Sequence, residues 1–190
     1  MHSALGLAGL PLSAAGMGLL LFCIAGVAII ATLARKELRD DLDRRAILLD
    51  ASRSLFESSK VTIGEDGYPR LEGTAGGNLV RLQVVPDSLV PRRLPQLWLS
   101  VVMVTRQNAG RPSIGALARP VGTEFYSRVL GLPDPVEPPF KTDFPLVMRG
   151  QGVSEVALRL TSELFRTLFA DPTLKEAVIT PRGTALVSQI

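Results

Sequence analysis

The chain carries no Asp, Glu, Lys or Arg before Arg35, and the twenty residues from Ala14 to Leu33 form one uncharged, mostly apolar run. As an α-helix this run would be about 30 Å long, which matches the hydrocarbon thickness of a bilayer. A core helix that is apolar on every side over such a length would be unusual. The run therefore predicts a transmembrane helix over residues 14–34.

A cleaved signal peptide is the main alternative to this anchor. Such a peptide has positive charges before an apolar core of about 7–15 residues. In this chain the positive charges follow the run, and the run is longer. We therefore expect an uncleaved helix preceded by an extracytoplasmic leader, residues 1–13.

The charges beside the run predict its orientation. Arg35, Lys36, Arg39, Arg44 and Arg45 follow it, whereas only the amino terminus and a histidine precede it. Lys and Arg accumulate on the cytoplasmic side of a span. The sequence thus predicts a single-pass protein of the inner (cytoplasmic) membrane, with its N-terminus outside and its C-terminal domain in the cytoplasm.

Small residues within the run are candidates for a helix-packing interface. Ala14, Gly18, Ala25 and Gly26 lie at helical spacing, and small residues let a second helix approach closely. The same residues are also common in spans that pack against nothing. The run holds no ionisable side chain, which argues against a proton relay or an ion pathway.

A second helix is expected directly after the anchor. Leu38, Leu42, Leu49 and Phe56 follow steps of four and seven, which is typical of an amphipathic helix. We predict a juxtamembrane amphipathic helix over residues 35–59. Its apolar stripe would be covered by the following domain or by a partner.

From residue 60 to residue 190 the pattern indicates a cytoplasmic α+β domain. Short β-favouring runs alternate with turn residues, and glycines 76 and 77 are expected to adopt positive φ. The fold class expected for the whole chain is a transmembrane helix continuing into a cytoplasmic helix, then an antiparallel or mixed sheet packed by one main helix, with a C-terminal β-hairpin. The predicted strands are 61–63, 70–74, 79–85, 97–105, 114–118, 145–149, 178–180 and 184–188.

The main helix is predicted over residues 154–169, with Ser154 as its N-cap. The residues expected to face the sheet are Val156, Leu160, Leu164 and Leu168, at steps of four, with Val153, Leu158 and Phe165 widening the face. Before this helix, five prolines in residues 131–145 predict an extended surface strap held by its two phenylalanines. A preformed docking segment is the alternative.

The composition excludes several kinds of chemistry. The chain has one Cys and one His, so a Ser-His-Asp or Cys-His arrangement lacks its base and a Cys/His zinc site lacks its ligands. Basic residues are not interleaved with aromatics, so we expect no nucleic-acid partner. We predict no catalytic residue, no metal, no cofactor and no enzyme activity.

Two segments carry a resemblance. Residues 71–85 (LEGTAGGNLVRLQVV) and residues 140–190, with KTDFPLVMRG, a helix and VITPRGTALVSQI, follow the anchor. This layout resembles bacterial single-span membrane proteins that carry a small cytoplasmic α+β domain. The resemblance implies the fold and no activity.

Two functions are compatible with these features. The first is a non-enzymatic accessory or structural subunit that stabilises a larger bacterial membrane complex, respiratory or photosynthetic, with other membrane subunits and the lipid bilayer as partners. The second is a membrane-anchored module that binds a small ligand or a lipid headgroup. Arginine suits anionic groups, and the candidate contacts are Arg35, Lys36, Arg39, Arg92 and Arg93.

Overall fold

A computed structural model of the chain describes residues 14–87, 96–108, 110–122 and 124–190, with side chains from Ile24 onwards. The predicted leader, residues 1–13, lies outside the described residues, as do Arg92 and Arg93. The chain divides into two compact units, Met1–Arg44 and Arg45–Ile190.

The described part of the first unit is one helix. Helix α1 spans Ala14–Ala46 and has 33 residues, so it is about 50 Å long. Within the part of the chain that the structure describes, no helix combines the length and the apolar character needed to cross a bilayer.

The predicted helix over residues 35–59 is wrong in its last part. The α-helix ends at Ala46, a segment of 3₁₀ geometry covers Ile47–Leu55, and a strand begins at Ser58. Phe56 closes the 3₁₀ segment in extended backbone conformation, and its N–H donates to the carbonyl of Arg53.

The change of helix type also breaks the predicted apolar stripe. Leu49 is buried and Phe56 packs beside it, whereas Leu38 and Leu42 are exposed. A 3₁₀ helix turns through three residues where an α-helix turns through 3.6. A stripe laid out for one continuous α-helix therefore does not stay on one face.

The second unit is built on one antiparallel sheet, and its described residues contribute nine strands. The fold class is therefore α+β, as predicted, and the sheet is antiparallel. The order across the sheet is β1-β2-β3-β4-β9-β8-β5-β7-β6. The strands are β1 (Ser58–Ile63), β2 (Pro69–Ala75), β3 (Asn78–Pro86), β4 (Leu97–Val104), β5 (Ser113–Ala118), β6 (Asp134–Val136), β7 (Leu146–Gln151), β8 (Leu174–Thr180) and β9 (Gly183–Gln189).

The turn chemistry read from the sequence is confirmed. Gly76 and Gly77 have φ of 56° and 71° between β2 and β3, a conformation that glycine adopts without steric cost. The C-terminal hairpin forms from β8 and β9, which pair antiparallel. These turns place successive strands side by side.

Two apolar clusters lie on one face of the sheet, and two helical segments cover them. Near the N-terminal strands, Leu49 of the 3₁₀ segment packs with Tyr68, Leu71, Leu82 and Val84. Near the C-terminal strands, helix α2 (Glu155–Leu168) covers a cluster whose buried members are Ile114, Ala116, Ala118, Met148, Phe165, Phe169, Leu174, Ala177 and Ile179.

Helix α2 begins as predicted, and its predicted core face is right for Leu158, Phe165 and Leu168, which pack on the cluster, but wrong for three other residues. The Ser154 hydroxyl accepts from the N–H of Ala157 at 3.2 Å, which caps the helix. Val156, Leu160 and Leu164, which were expected to face the sheet, are exposed.

Helix geometry explains this error. Four residues overshoot a full turn by about 40°, so a strict i+4 row winds around the helix. The face that stays on the sheet is Leu158, Thr161, Phe165 and Leu168. Because Thr161 is polar, the sequence does not indicate that this residue is buried. In the structure its hydroxyl donates to the carbonyl of Ala157 at 2.8 Å, which satisfies it inside the helix.

The described residues cover the opposite face of the sheet at one end only. The segment around a short 3₁₀ turn, Val129–Gly131, packs there on Leu117, Val178 and Ala185. The proline-rich strap continues from it and contains β6; Phe140 and Phe144 pack on the α2 cluster, as predicted for a strap. The strands β1–β3 leave their part of this face open.

We expect Gly183→Ala to lower the free energy of unfolding by about 2–4 kcal/mol, the cost of overpacking and backbone strain. Gly183 has a φ of 155°, and a Cβ there would lie 2.0 Å from the carbonyl oxygen of Met103. Urea unfolding of the full chain in mild detergent, followed by Trp98 fluorescence, measures the change. Gly131→Ala is the control, since no described atom lies within 4 Å of its Cβ position. Equal stability of the two variants would contradict the prediction.

Candidate functional site

The predicted helix-packing residues are only partly described. Ala25 is exposed and Gly26 half-buried on α1. Among the described residues, nothing lies within 4 Å of the position that a Cβ of Gly26 would take. Ala14 and Gly18 lie within α1, but their side chains are outside the described set. The packing interface stays a prediction.

The residues predicted to contact a partner or a lipid headgroup are also only partly described. Arg35, Lys36 and Arg39 are exposed on α1, in the turns after the uncharged run. Arg92 and Arg93 belong to the 88–95 segment, which lies outside the described residues. The structure leaves their role as anion contacts a prediction.

A polar groove lies on the open face of β1–β3. Its volume is about 740 Å³. Sequence reasoning missed it, although alternation of polar and apolar residues in these strands indicates a solvated face. The register aligns its side chains in three rows across the strands, which are Ser58–Thr74–Leu79, Lys60–Glu72–Arg81 and Thr62–Arg70–Gln83.

The groove carries three cationic side chains around one carboxylate. Glu72 lies between Lys60 and Arg81 in register, and Arg81 Nε donates to its Oε2 at 2.5 Å. Arg70 lies 3.5 Å from Asp66. These pairs are largely exposed, so each contributes little to stability. The remaining positive charge suits a weakly held anion.

A buried carboxylate anchors the loop on the other end of this face. Glu176 is fully buried on β8. It accepts from the Ser127 hydroxyl at 2.5 Å and from the backbone N–H groups of Arg128 at 3.0 Å and Val129 at 3.4 Å. A buried carboxylate needs such donors, and here they tie the 3₁₀ turn to the sheet.

A second carboxylate organises the start of the same loop. Glu124 is nearly buried, and it accepts from the backbone N–H groups of Val121 and Gly122. Both carboxylates therefore bind the backbone of this loop, Glu124 from within the loop and Glu176 from β8. Within the described part of the chain, no group of His, Cys, Asp or Glu side chains is arranged to hold a metal ion.

The aromatic residues beside these carboxylates share their buried environment. The Tyr126 ring lies 4.7 Å from the Trp98 ring, centroid to centroid. Burial, and then the nearby carboxylates of Glu124, Glu176 and Asp87, raise the pKa of Tyr126 well above its ordinary range. Trp98 is buried on β4, the strand predicted over residues 97–105.

Sequence reasoning also missed Glu176, for a local reason. The predicted strand began at Val178, so Glu176 was not placed in the sheet. A bulge between Leu174 and Glu176 shifts the pairing with β9, and ordinary strand alternation places Glu176 on the same face as Val178. The available signal was Glu176 directly before the apolar run Ala177–Ile179.

Comparisons with protein-family models, with curated proteins and with solved structures find no match for this chain.

We expect wild-type stability to fall as the pH rises above about 10, the ordinary pKa of tyrosine. The raised pKa of Tyr126 means that the folded chain keeps a proton that the unfolded chain releases. Its contribution is therefore complete below that pH and is lost above it. Tyr126→Phe should reduce this loss, and urea midpoints from pH 8.5 to 11, read by circular dichroism, measure it. Identical pH slopes for both proteins would contradict the assignment.

Proposed function

We propose that the chain is a single-pass protein of the inner membrane, with its N-terminus outside. We propose further that it acts as a non-enzymatic accessory or structural subunit of a larger bacterial membrane complex, in which the sheet unit lies in the cytoplasm. Respiratory and photosynthetic complexes are the proposed classes. The bilayer and other membrane subunits are its proposed partners.

The observation that carries the anchor is the apolar surface of α1 between Ile24 and Leu33. The apolar side chains exposed there are Ile24, Val27, Ile29, Ile30 and Leu33, and they point in directions all around the helix. In water such a surface is unfavourable, because about 25 cal/mol is gained per Å² of apolar area removed from it.

The polar side chain within this stretch supports the same proposal. The Thr32 hydroxyl donates to the backbone carbonyl of Ile29 at 2.8 Å. In lipid every polar group must be satisfied within the protein, and this bond does so inside the helix itself. The uncharged run of the sequence begins ten residues before Ile24.

The structural role rests on how the sheet unit uses its buried polar groups. Glu124 and Glu176 both hold loop backbone, which gives each a role in maintaining the shape of the unit. A rigid unit of this kind suits bracing between neighbours.

The anchor is tested by placing a charge within it. Ile24→Arg should move most of the protein out of the carbonate-resistant membrane fraction, because Ile24 lies midway along residues 14–34 and an arginine at the centre of a span costs about 3 kcal/mol. Leu38→Arg is the matched control, since Leu38 lies after the uncharged run. If both variants stay in the membrane fraction to the same extent, the anchor is refuted.

The subunit role is tested separately. We expect the full chain, purified from its native membranes in mild detergent, to retain partner proteins in fixed stoichiometry. Deletion of the chain should then lower the amount of that complex on native gels. A chain that purifies alone and whose loss leaves every complex intact would contradict this role.

A second candidate function rests on the β1–β3 groove. There the chain would bind a phosphate group, on a lipid headgroup or a free ligand, through Lys60 and Arg70. Arginine and phosphate form strong charge-assisted hydrogen bonds.

We expect glycerol phosphate to bind the full chain weakly, and Arg70→Ala to weaken binding about tenfold through loss of a charged donor. Phosphorus NMR line broadening in mild detergent measures the binding. Arg182→Ala, on the β8–β9 turn, is the control. Equal binding by the wild type and both variants would remove the groove from consideration.

A further inference from the structure

Helix α2 presents an apolar ridge to solvent. Its members are Val156, Leu160 and Leu164, whose exposed fractions are 58%, 71% and 44%. Single exposed apolar residues are ordinary on a protein surface. Three of them at successive turns of one helix form a continuous strip of the kind that marks an interaction site.

A row of charges with alternating sign runs beside this ridge. Glu155, Arg159, Glu163 and Arg166 occupy the side of α2 that faces away from the sheet core. Within the chain, Arg166 Nη2 lies 2.5 Å from Glu163 Oε2, and both side chains are more than half exposed. If two such rows lie side by side in opposite directions, each charge of one row faces a charge of opposite sign in the other.

This alternation is complementary to itself only in the antiparallel direction. If two copies of α2 cross antiparallel at Leu160, Val156 of one copy meets Leu164 of the other. Arg159 and Glu163 then differ by about 3 Å along the axis, at 1.5 Å per residue. In a parallel two-fold pair the two charge rows would lie on opposite edges of the ridge and would not face each other.

The outer charges follow the same rule. In the antiparallel pair Glu155 lies beside Arg166 of the second copy, with an axial difference of about 1.5 Å. A two-fold axis repeats every contact, so two inner and two outer ion pairs would border the ridge. Both the apolar and the charged residues are thus symmetric about nearly the same point.

We propose that this face of α2 is a homodimer interface, in which α2 packs antiparallel on α2 of a second copy of the chain. The inference goes beyond the proposed function and does not depend on the membrane anchor. The helix has 14 residues and is about 21 Å long. An interface of this length is at the small end of specific contacts, so we expect a reversible dimer.

Cross-linking tests the geometry of the pair. In the full chain in mild detergent, with Cys23→Ser to remove the native thiol, Leu160→Cys should form a disulfide-linked dimer, because residue 160 lies on the two-fold axis. Ser59→Cys, exposed on β1, is the control and should cross-link much less. Equal cross-linking at both positions would overturn the proposal.

Charge reversal tests the partner. Arg159→Glu should weaken the dimer about tenfold, because it replaces two exposed ion pairs with two repulsions. Glu163→Arg should act in the same direction, and the double variant Arg159→Glu with Glu163→Arg should restore wild-type dimerisation. Sedimentation in mild detergent gives the dissociation constants, and circular dichroism verifies that each variant is folded.

The remaining outcomes decide against the second copy. A chain that is monomeric at every concentration, or a dimer that none of the reversals changes, would overturn the proposal. A Leu160→Cys variant that cross-links in native membranes to a different protein, and not to itself, would assign the ridge to a helix of that protein.

Discussion

The hydrogen-bonded pairing of β4 with β9 is the constraint on which the sheet unit depends. Strands β1–β4 follow one another as neighbours, and β5–β9 form a second group. Only the ladder between β4 and β9 joins the two groups among the described strands. The ladder ends where Gly183 lies opposite Val104, and the missing side chain of Gly183 leaves room for the Met103 carbonyl oxygen. The C-terminal strand is therefore what makes one sheet from two parts.

A single wide sheet has two faces, and this chain covers them unequally. One face is covered at both ends, by a 3₁₀ segment and by α2. Of the residues that the structure describes, those held by Glu176 cover the other face, where the 127–129 backbone lies against the strands, and they leave the β1–β3 groove open. A surface open to a partner or a ligand therefore remains over β1–β3, where no described element packs on the sheet.

The features of the candidate surfaces that depend on a few neighbouring residues could be predicted from the sequence. An uncharged run, turn glycines and strand alternation can be read from short windows of sequence, and they predicted the C-terminal hairpin and eight of the nine described strands; β6 was not predicted. The α2 ridge was assigned to the core because Val156, Leu160 and Leu164 are apolar, while Thr161 occupied the true core face. A threonine hydroxyl that bonds its own helix backbone can be buried at little cost, and residue type alone does not reveal this.

The sequence by itself determined the existence and type of most elements, the N-cap of α2, which turns need glycine, and that the chain is α+β. Those features arise from propensity, capping and steric limits that act over a few residues. The tertiary structure alone decided the strand order, the side of α2 that meets the sheet, the change to 3₁₀ geometry after Ala46 and the burial of Glu176. Each depends on contacts between residues far apart in the chain, and their free energies are absent from any short window of sequence.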